Sequence, residues 1–175
     1  MIGRAFARRG PVRVGAAPGP DVALVSPEAL RGKAIAALAR REHSRAELAA
    51  KLSRICRDRA AIDAVLEQLE VEGLLSDARF AQGVGRVRGA RHGSARVAND
   101  LRSKGVSADD AGPIVDQLRS GDMDRARALW DLKVGAPATD AAGRARQMRF
   151  LHARGFPADV IRRVVPRAQG GDGDE

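Results

Sequence analysis

The sequence matches itself. Laid so that His92 falls on His43, the chain aligns without a gap from Arg31 to Leu69 against Phe80 to Leu118. Apolar residues meet apolar residues throughout: Ile35 falls on Val84, Leu38 on Val87, Leu48 on Val97, Leu52 on Leu101, Val65 on Ile114, Leu66 on Val115 and Leu69 on Leu118. A further slide brings Lys104-Gly105-Val106-Ser107-Ala108-Asp109 onto Arg154-Gly155-Phe156-Pro157-Ala158-Asp159, and Leu101 onto Leu151. A segment repeated at such a period is one supersecondary unit that buries its apolar face with the help of its neighbours. Three related units therefore predict a tandem array rather than one layered domain.

Each unit reads as helix, helix, turn, helix. Ile62, Val65, Leu66 and Leu69 recur at i, i+3, i+4 and i+7, the spacing of a helical stripe. The middle unit repeats it with Ala111, Ile114, Val115 and Leu118, and the last with Ile161, Val164, Val165 and Ala168. Ser26-Pro27 fits an N-cap and first helical position, and this first helix is expected to end near Glu42-His43. Ser44 with Glu47 makes a capping box that starts the second helix. Gly105 and Gly155 suit the left-handed residue that closes a helix. Cys56 stands at that place in the first unit, where a Cβ opposes the conformation, so a reshaped turn is expected there. Aromatic residues make up only 3% and Tyr is absent, which leaves Leu, Val, Ile and Ala to fill close helix contacts. The fold class expected is all-α: three three-helix repeats in an elongated, curved array.

The expected divisions are a flexible basic arm at 1–25, repeats at 26–75, 76–120 and 121–168, and a glycine-rich acidic tail at 169–175. In the third repeat, Ala126, Leu129 and Trp130 mark a first helix followed by a longer loop, Gly135 to Asp140. The single cysteine, Cys56, excludes a disulfide framework and a Cys-based zinc site. Arg8-Arg9 is followed by Gly10, Pro11 and Arg13 where an export signal needs an apolar run, and no stretch reaches the length of a membrane span. A cytoplasmic monomer without cofactor is expected.

Catalytic patterns are missing. Gly83-Val84-Gly85-Arg86-Val87-Arg88-Gly89 resembles a dinucleotide loop, but its third glycine is one residue late and no strand precedes it, so a helix in close contact with a neighbour is the better reading. His43, His92 and His152 have no second ligand at metal spacing; His43 and His92 are expected to cap equivalent helix ends. Gly121-Asp122-Met123-Asp124 lacks the rest of a calcium loop and reads as the N-cap of the next helix.

Charge is the remaining signal. The chain carries a formal net charge of +9, mostly through Arg, whose planar fork suits carboxylate and phosphate, and an acidic partner is implied. Between Asp77 and Asp100 lie Arg79, Arg86, Arg88, Arg91 and Arg96 without an intervening acid; between Asp140 and Asp159 lie Arg144, Arg146, Arg149 and Arg154. With Arg102 and Lys104, these residues form the candidate binding set. The first unit instead interleaves Arg45 with Glu47, and its third helix bears Asp63, Glu67, Glu70 and Glu72. Repeats set side by side would gather the basic windows on one face.

Particular blocks also carry a family resemblance. Leu38 to Leu48 (LARREHSRAEL), Leu66 to Leu75 with Glu72-Gly73-Leu74-Leu75, Asp77-Ala78-Arg79-Phe80-Ala81, Arg96 to Val106, and Arg154-Gly155-Phe156 are similar to the bacterial RecX regulatory proteins. The likeness runs from about Leu30 to Val165. It departs at the missing Lys-Gly turn around Ile55-Cys56, in lacking the usual Tyr, and in the basic N-terminal arm. The resemblance implies a non-enzymatic protein that binds the RecA recombinase filament along its groove and lowers its ATPase, strand-exchange and co-protease activities, restraining recombination and the SOS response. Contact with single- or double-stranded DNA in the filament is compatible with the basic face. Sequence-independent binding to DNA itself is the alternative, and a scaffold for an unrelated acidic protein is a third.

Overall fold

The computed structural model describes residues 25–169; the basic arm and the acidic tail expected from the sequence lie outside them, apart from Val25 and Gln169. The described residues form nine helices and no strand. They are α1 Pro27–Leu38, α2 Arg45–Leu52, α3 Arg59–Val71, α4 Asp77–Gly89, α5 Ser94–Ser103, α6 Ala108–Ser120, α7 Asp122–Lys133, α8 Ala141–Ala153 and α9 Ala158–Val164. Under the self-alignment, α2 and α5 start at equivalent residues and α3 and α6 coincide from end to end.

Three apolar clusters organise the chain, one in each successive triplet of helices. Leu30 and Ala34 of α1, Leu48 and Leu52 of α2, and Ile62, Val65, Leu66 and Leu69 of α3 form the first. Phe80, Ala81, Val97, Leu101 and Val106 form the second, with Ala111, Ile114, Val115 and Leu118 half-buried against it. Ala126, Trp130, Leu151, Phe156, Val160, Ile161, Val164 and Val165 form the third. The stripe is buried in α3 and at Ile161, Val164 and Val165 of the last unit, but only half-buried in α6.

Local chemistry sets most boundaries. Ser26, Ser44, Asp58, Ser76, Ser107 and Asp140 each accept a hydrogen bond from a first-turn N–H of the helix they open, satisfying a donor that the helix itself leaves free. α1 ends at Leu38, earlier than expected, because a turn leads from it to Ser44. Gly105 and Gly155 take φ of +75° and +82°. α2 spans 8 residues against 10 in α5. Without a glycine to reverse the chain, the first turn folds on Cys56, which is buried and donates its N–H to Leu52. Ala168 lies beyond α9, since Pro166 disfavours helical backbone at the preceding Val165, which is extended with ψ 112°.

Two of the three glycines of α4 behave as a close-contact helix requires, while Gly83 faces open space. Gly85 and Gly89 are buried, and a Cβ at either would run into the Ile114 or Leu118 side chain of α6. Removing side chains from one helix here lets the next approach its backbone, which explains a run that superficially looked like a nucleotide loop.

Candidate functional site

Adjacent triplets meet at two joints built on one plan. At the first, the N-terminus of α2 abuts the turn after α5. The Arg45 N–H donates to the Asp77 carboxylate at 2.7 Å, and Ser44 Oγ donates to the Lys104 carbonyl at 2.7 Å. Gly105 packs so close that a Cβ on it would stand 2.5 Å from the Ala46 Cβ. At the second, the N-terminus of α5 abuts the turn after α8. The Ser94 N–H and hydroxyl both donate to the Asp122 carboxylate, and the Gly93 N–H donates to the Arg154 carbonyl at 2.9 Å. A Cβ on Gly155 would stand 2.8 Å from the Arg96 nitrogen, and one on Gly93 would stand 2.5 Å from the Gly155 carbonyl carbon.

Asp122 is therefore the acceptor of an inter-triplet joint, while Gly121 precedes α7 without any side-chain cap bond. The N-cap expected from the Gly121–Asp124 segment is thus Gly121, and Asp122 serves the joint. Glu47 is also redirected. Ser44 Oγ accepts from the Glu47 N–H, half of a capping box, but the Glu47 carboxylate pairs with Lys104 and Arg41 instead of returning to Ser44. Burial pushes the Glu47 carboxyl up, yet Lys104 and Arg41 outweigh it and hold it below the usual range. Asp77 goes the other way, raised by burial against the hydrogen bond from Arg45.

The histidines do not cap helix ends as expected. His43 is buried in the turn before α2, and its Nδ1–H donates to the Arg41 carbonyl at 3.0 Å. His92 sits in the equivalent turn before α5, with Nδ1 shielded from solvent and unmatched by any protein partner. Burial, then the nearby Arg96, Arg88 and Arg154 charges, push its pKa down against the opposing pull of Asp100. Among the described residues no group of three or more metal-ligating side chains converges.

The candidate cations divide by partner. Arg79 pairs with Glu42 at 2.9 Å, Lys104 with Glu47, and Arg88 with Asp100 at 2.5 Å. Lys104 also lies over the Phe80 ring. Arg96 donates to the Ala153 carbonyl, Arg102 to Asn99 and Arg144 to the Pro166 carbonyl. Arg86, Arg91, Arg146 and Arg149 are exposed, and among the described residues none of them forms an ion pair with a carboxylate. Arg154 stacks over Phe150 with its guanidinium 5.4 Å from the ring centre.

Two of the set converge at the second joint. Arg91 and Arg154 line a cavity of about 210 Å³ together with Ala90, His92, Arg125, Leu129 and Phe156. Arg125 was not singled out by the acid-free windows, because Asp122 and Asp124 stand beside it in sequence. The Asp122-to-Arg125 spacing, one turn of helix, was the available signal; Arg125 donates to Asp122 at 2.7 Å and to the Leu118 carbonyl at 2.5 Å.

Comparison with known proteins agrees with the division into three-helix units. Residues 31–69 match the first three-helix domain of RecX and residues 121–165 the third. The chain is 48% identical over 136 residues to the regulatory protein RecX of Leptothrix cholodnii, covering 78% of this chain and 87% of that one. It is 40% identical over 151 residues to that of Ralstonia nicotianae, covering 85% and 95%. The crystal structure of RecX from Lactobacillus salivarius superposes with a TM-score of 0.64 at 18% identity, over 79% of this chain and 93% of that one, a likeness of fold.

Proposed function

The chain belongs to the RecX family of regulatory proteins, and from that premise we propose that it binds the RecA–DNA filament and lowers RecA ATPase, strand exchange and co-protease activity without catalysing a reaction. On this reading it acts in the cytoplasm as a monomer, its three repeats spanning 26–75, 76–120 and 121–168, and the basic face of the second and third repeats contacts acidic RecA surface and filament DNA. No described helix is long and apolar enough to cross a membrane. The observation that carries the reading beyond the family is the set of exposed arginines without an acid partner among the described residues, Arg86, Arg91, Arg146 and Arg149. Unpaired guanidiniums keep their donors available for a carboxylate or phosphate.

The test is RecA ATPase on single-stranded DNA at substoichiometric amounts of this protein. Reversing Arg86, Arg91 and Arg149 to Glu should abolish most of the inhibition, since each lost charge-assisted contact costs on the order of 1.5–3 kcal/mol. Reversing Arg40, Arg54 and Arg57, exposed in the first triplet, changes net charge equally and should leave most of it. Equal loss in both, at matched helicity, would reduce the site to generic steering by overall charge. Retention on naked DNA and loss on RecA-coated DNA would favour DNA itself as the target.

A further inference from the structure

The cavity at the second joint combines three guanidiniums with no acid in its lining: Arg91 and Arg154 arrive from the turns before α5 and after α8, and Arg125 from α7. Asp122 is the acid tied to Arg125, and its carboxylate is already engaged by Ser94. Arg125 retains a buried Nε, and His92 a buried Nδ1, neither with a protein partner. Buried polar atoms are ordinarily paired, with protein, water or an ion, so two unpaired donors beside a cationic cavity are in place to meet a bound acceptor. Arg125 also lines an adjoining depression with Arg86, Gln82 and Gln117, again without an acidic lining residue. Two cationic depressions sharing one arginine suit a ligand whose charges recur along a chain.

We propose that the cavity bounded by Arg91, His92, Arg125 and Arg154 is an oxyanion site that holds a backbone phosphate of nucleic acid, with the neighbouring phosphate at Arg86. Its size admits a compact head group and its donors are all cationic or ring N–H. A strand seated here would bridge the second and third triplets, so that binding would tighten the joint as well as anchor the protein. The proposal deepens the function argued above and rests on it only for the nucleic acid; binding of inorganic phosphate is measured with neither RecA nor DNA, which separates failure of the pocket from failure of that reading.

The imidazole resonances of His92 provide the probe, with His152, which lies outside the cavity, as internal control. Titrating wild-type protein with inorganic phosphate should shift His92 saturably and raise its pKa, and leave His152 unmoved. Arg91→Gln and Arg154→Gln should each weaken that binding several-fold, and Arg57→Gln, exposed in the first triplet, should not. A single-stranded oligonucleotide should compete, and Arg91→Gln should reduce the log–log salt slope of DNA binding by about 0.7, one phosphate's share on a single strand. A His92 signal indifferent to phosphate overturns the site, and this reading needs no variant to fold. Acetate matching phosphate would overturn the phosphate assignment in favour of an acidic protein segment. Phosphate binding that no oligonucleotide displaces would mean an adventitious ion only.

Discussion

The two joints are one device built twice, and they differ in how charge and backbone are used. At both, the first N–H of a second helix is taken by a carboxylate at the start of the next triplet: Arg45 by Asp77, Ser94 by Asp122. At the first joint the surrounding cations are closed off by acids, Glu47 on Lys104 and Arg41, Glu42 on Arg79. At the second, no described acid pairs with Arg91 or Arg154, while Asp122 is wholly buried. The first joint is thereby a neutralised hinge of ion pairs, and the second a buried carboxylate beneath an open cationic rim. The mechanical contact is common to both joints while the charged rim differs, so the two junctions need not carry the same load.

The largest expected difference lies in the two carboxylates. Asp122→Ala removes a fully buried acceptor from Ser94 and leaves the partly exposed Arg125 without its partner, and loss of such charge-assisted hydrogen bonds costs about 1.5–3 kcal/mol each. Asp77→Ala removes a half-buried acceptor from one N–H, at about 1–2 kcal/mol. Urea midpoints of the two variants should separate accordingly; equal midpoints would show that the joints carry equal load. Next in size is an exchange of the aligned residues Ser44 and Gly93. The first joint reaches the Lys104 carbonyl through a side-chain hydroxyl, whereas the second reaches Arg154 by the backbone N–H itself. Gly93→Ser should therefore force the second joint open and cost about 1–3 kcal/mol by overpacking. Ser44→Gly should cost about 1 kcal/mol, since it loses the hydroxyl's hydrogen bonds without a clash. A Gly93→Ser protein as stable as wild type would mean that the close approach at Gly155 is not required.

Periodicity made the helices and their cores legible, because a repeat read twice cancels the accidents of either copy. Leu48 and Val97, Leu52 and Leu101 are aligned in sequence and each pair is buried. The glycines at 105 and 155 were legible as left-handed residues, since few others tolerate that φ. Their second purpose, giving room to Ala46 and Arg96, was not, because contacts between triplets leave no period within one. For the same reason Asp122 reads locally as a cap and Glu47 as half of a capping box, although tertiary partners claim both. The acid-free windows, with Arg102 and Lys104 added, gather residues that the fold separates: Arg91 and Arg154 meet at one cavity, whereas Arg79 and Lys104 pair with acids of the first triplet and Arg88 with Asp100, the residue that closes its window. Sequence distance from an acid is a poor measure of spatial distance when helices fold back on one another.

The smallest expected effect is in acid, and it separates the joints by pH. His92 has a lowered folded-state pKa, through burial first and then Arg96, Arg88 and Arg154, so below the ordinary imidazole range the unfolded chain binds the extra proton and folding must expel it. Its contribution is full above that range and is lost as pH falls through it. Glu47 also has a lowered pKa, but as a carboxylate its contribution persists until pH falls through the carboxylate range. Asp77, raised by burial, contributes with the opposite sign: its protonated form is favoured on folding, so it offsets part of the loss of Glu47. The second joint should therefore loosen at mildly acidic pH while the first holds. Amide exchange reads each joint separately, through the Ser94 N–H bound to Asp122 and the Arg45 N–H bound to Asp77. On lowering pH through the imidazole range, protection corrected for intrinsic exchange should fall at Ser94 first, and His92→Gln should remove that early fall. Parallel loss at both amides, or an early fall that survives His92→Gln, would show that the two joints open as one and that the imidazole does not govern the second.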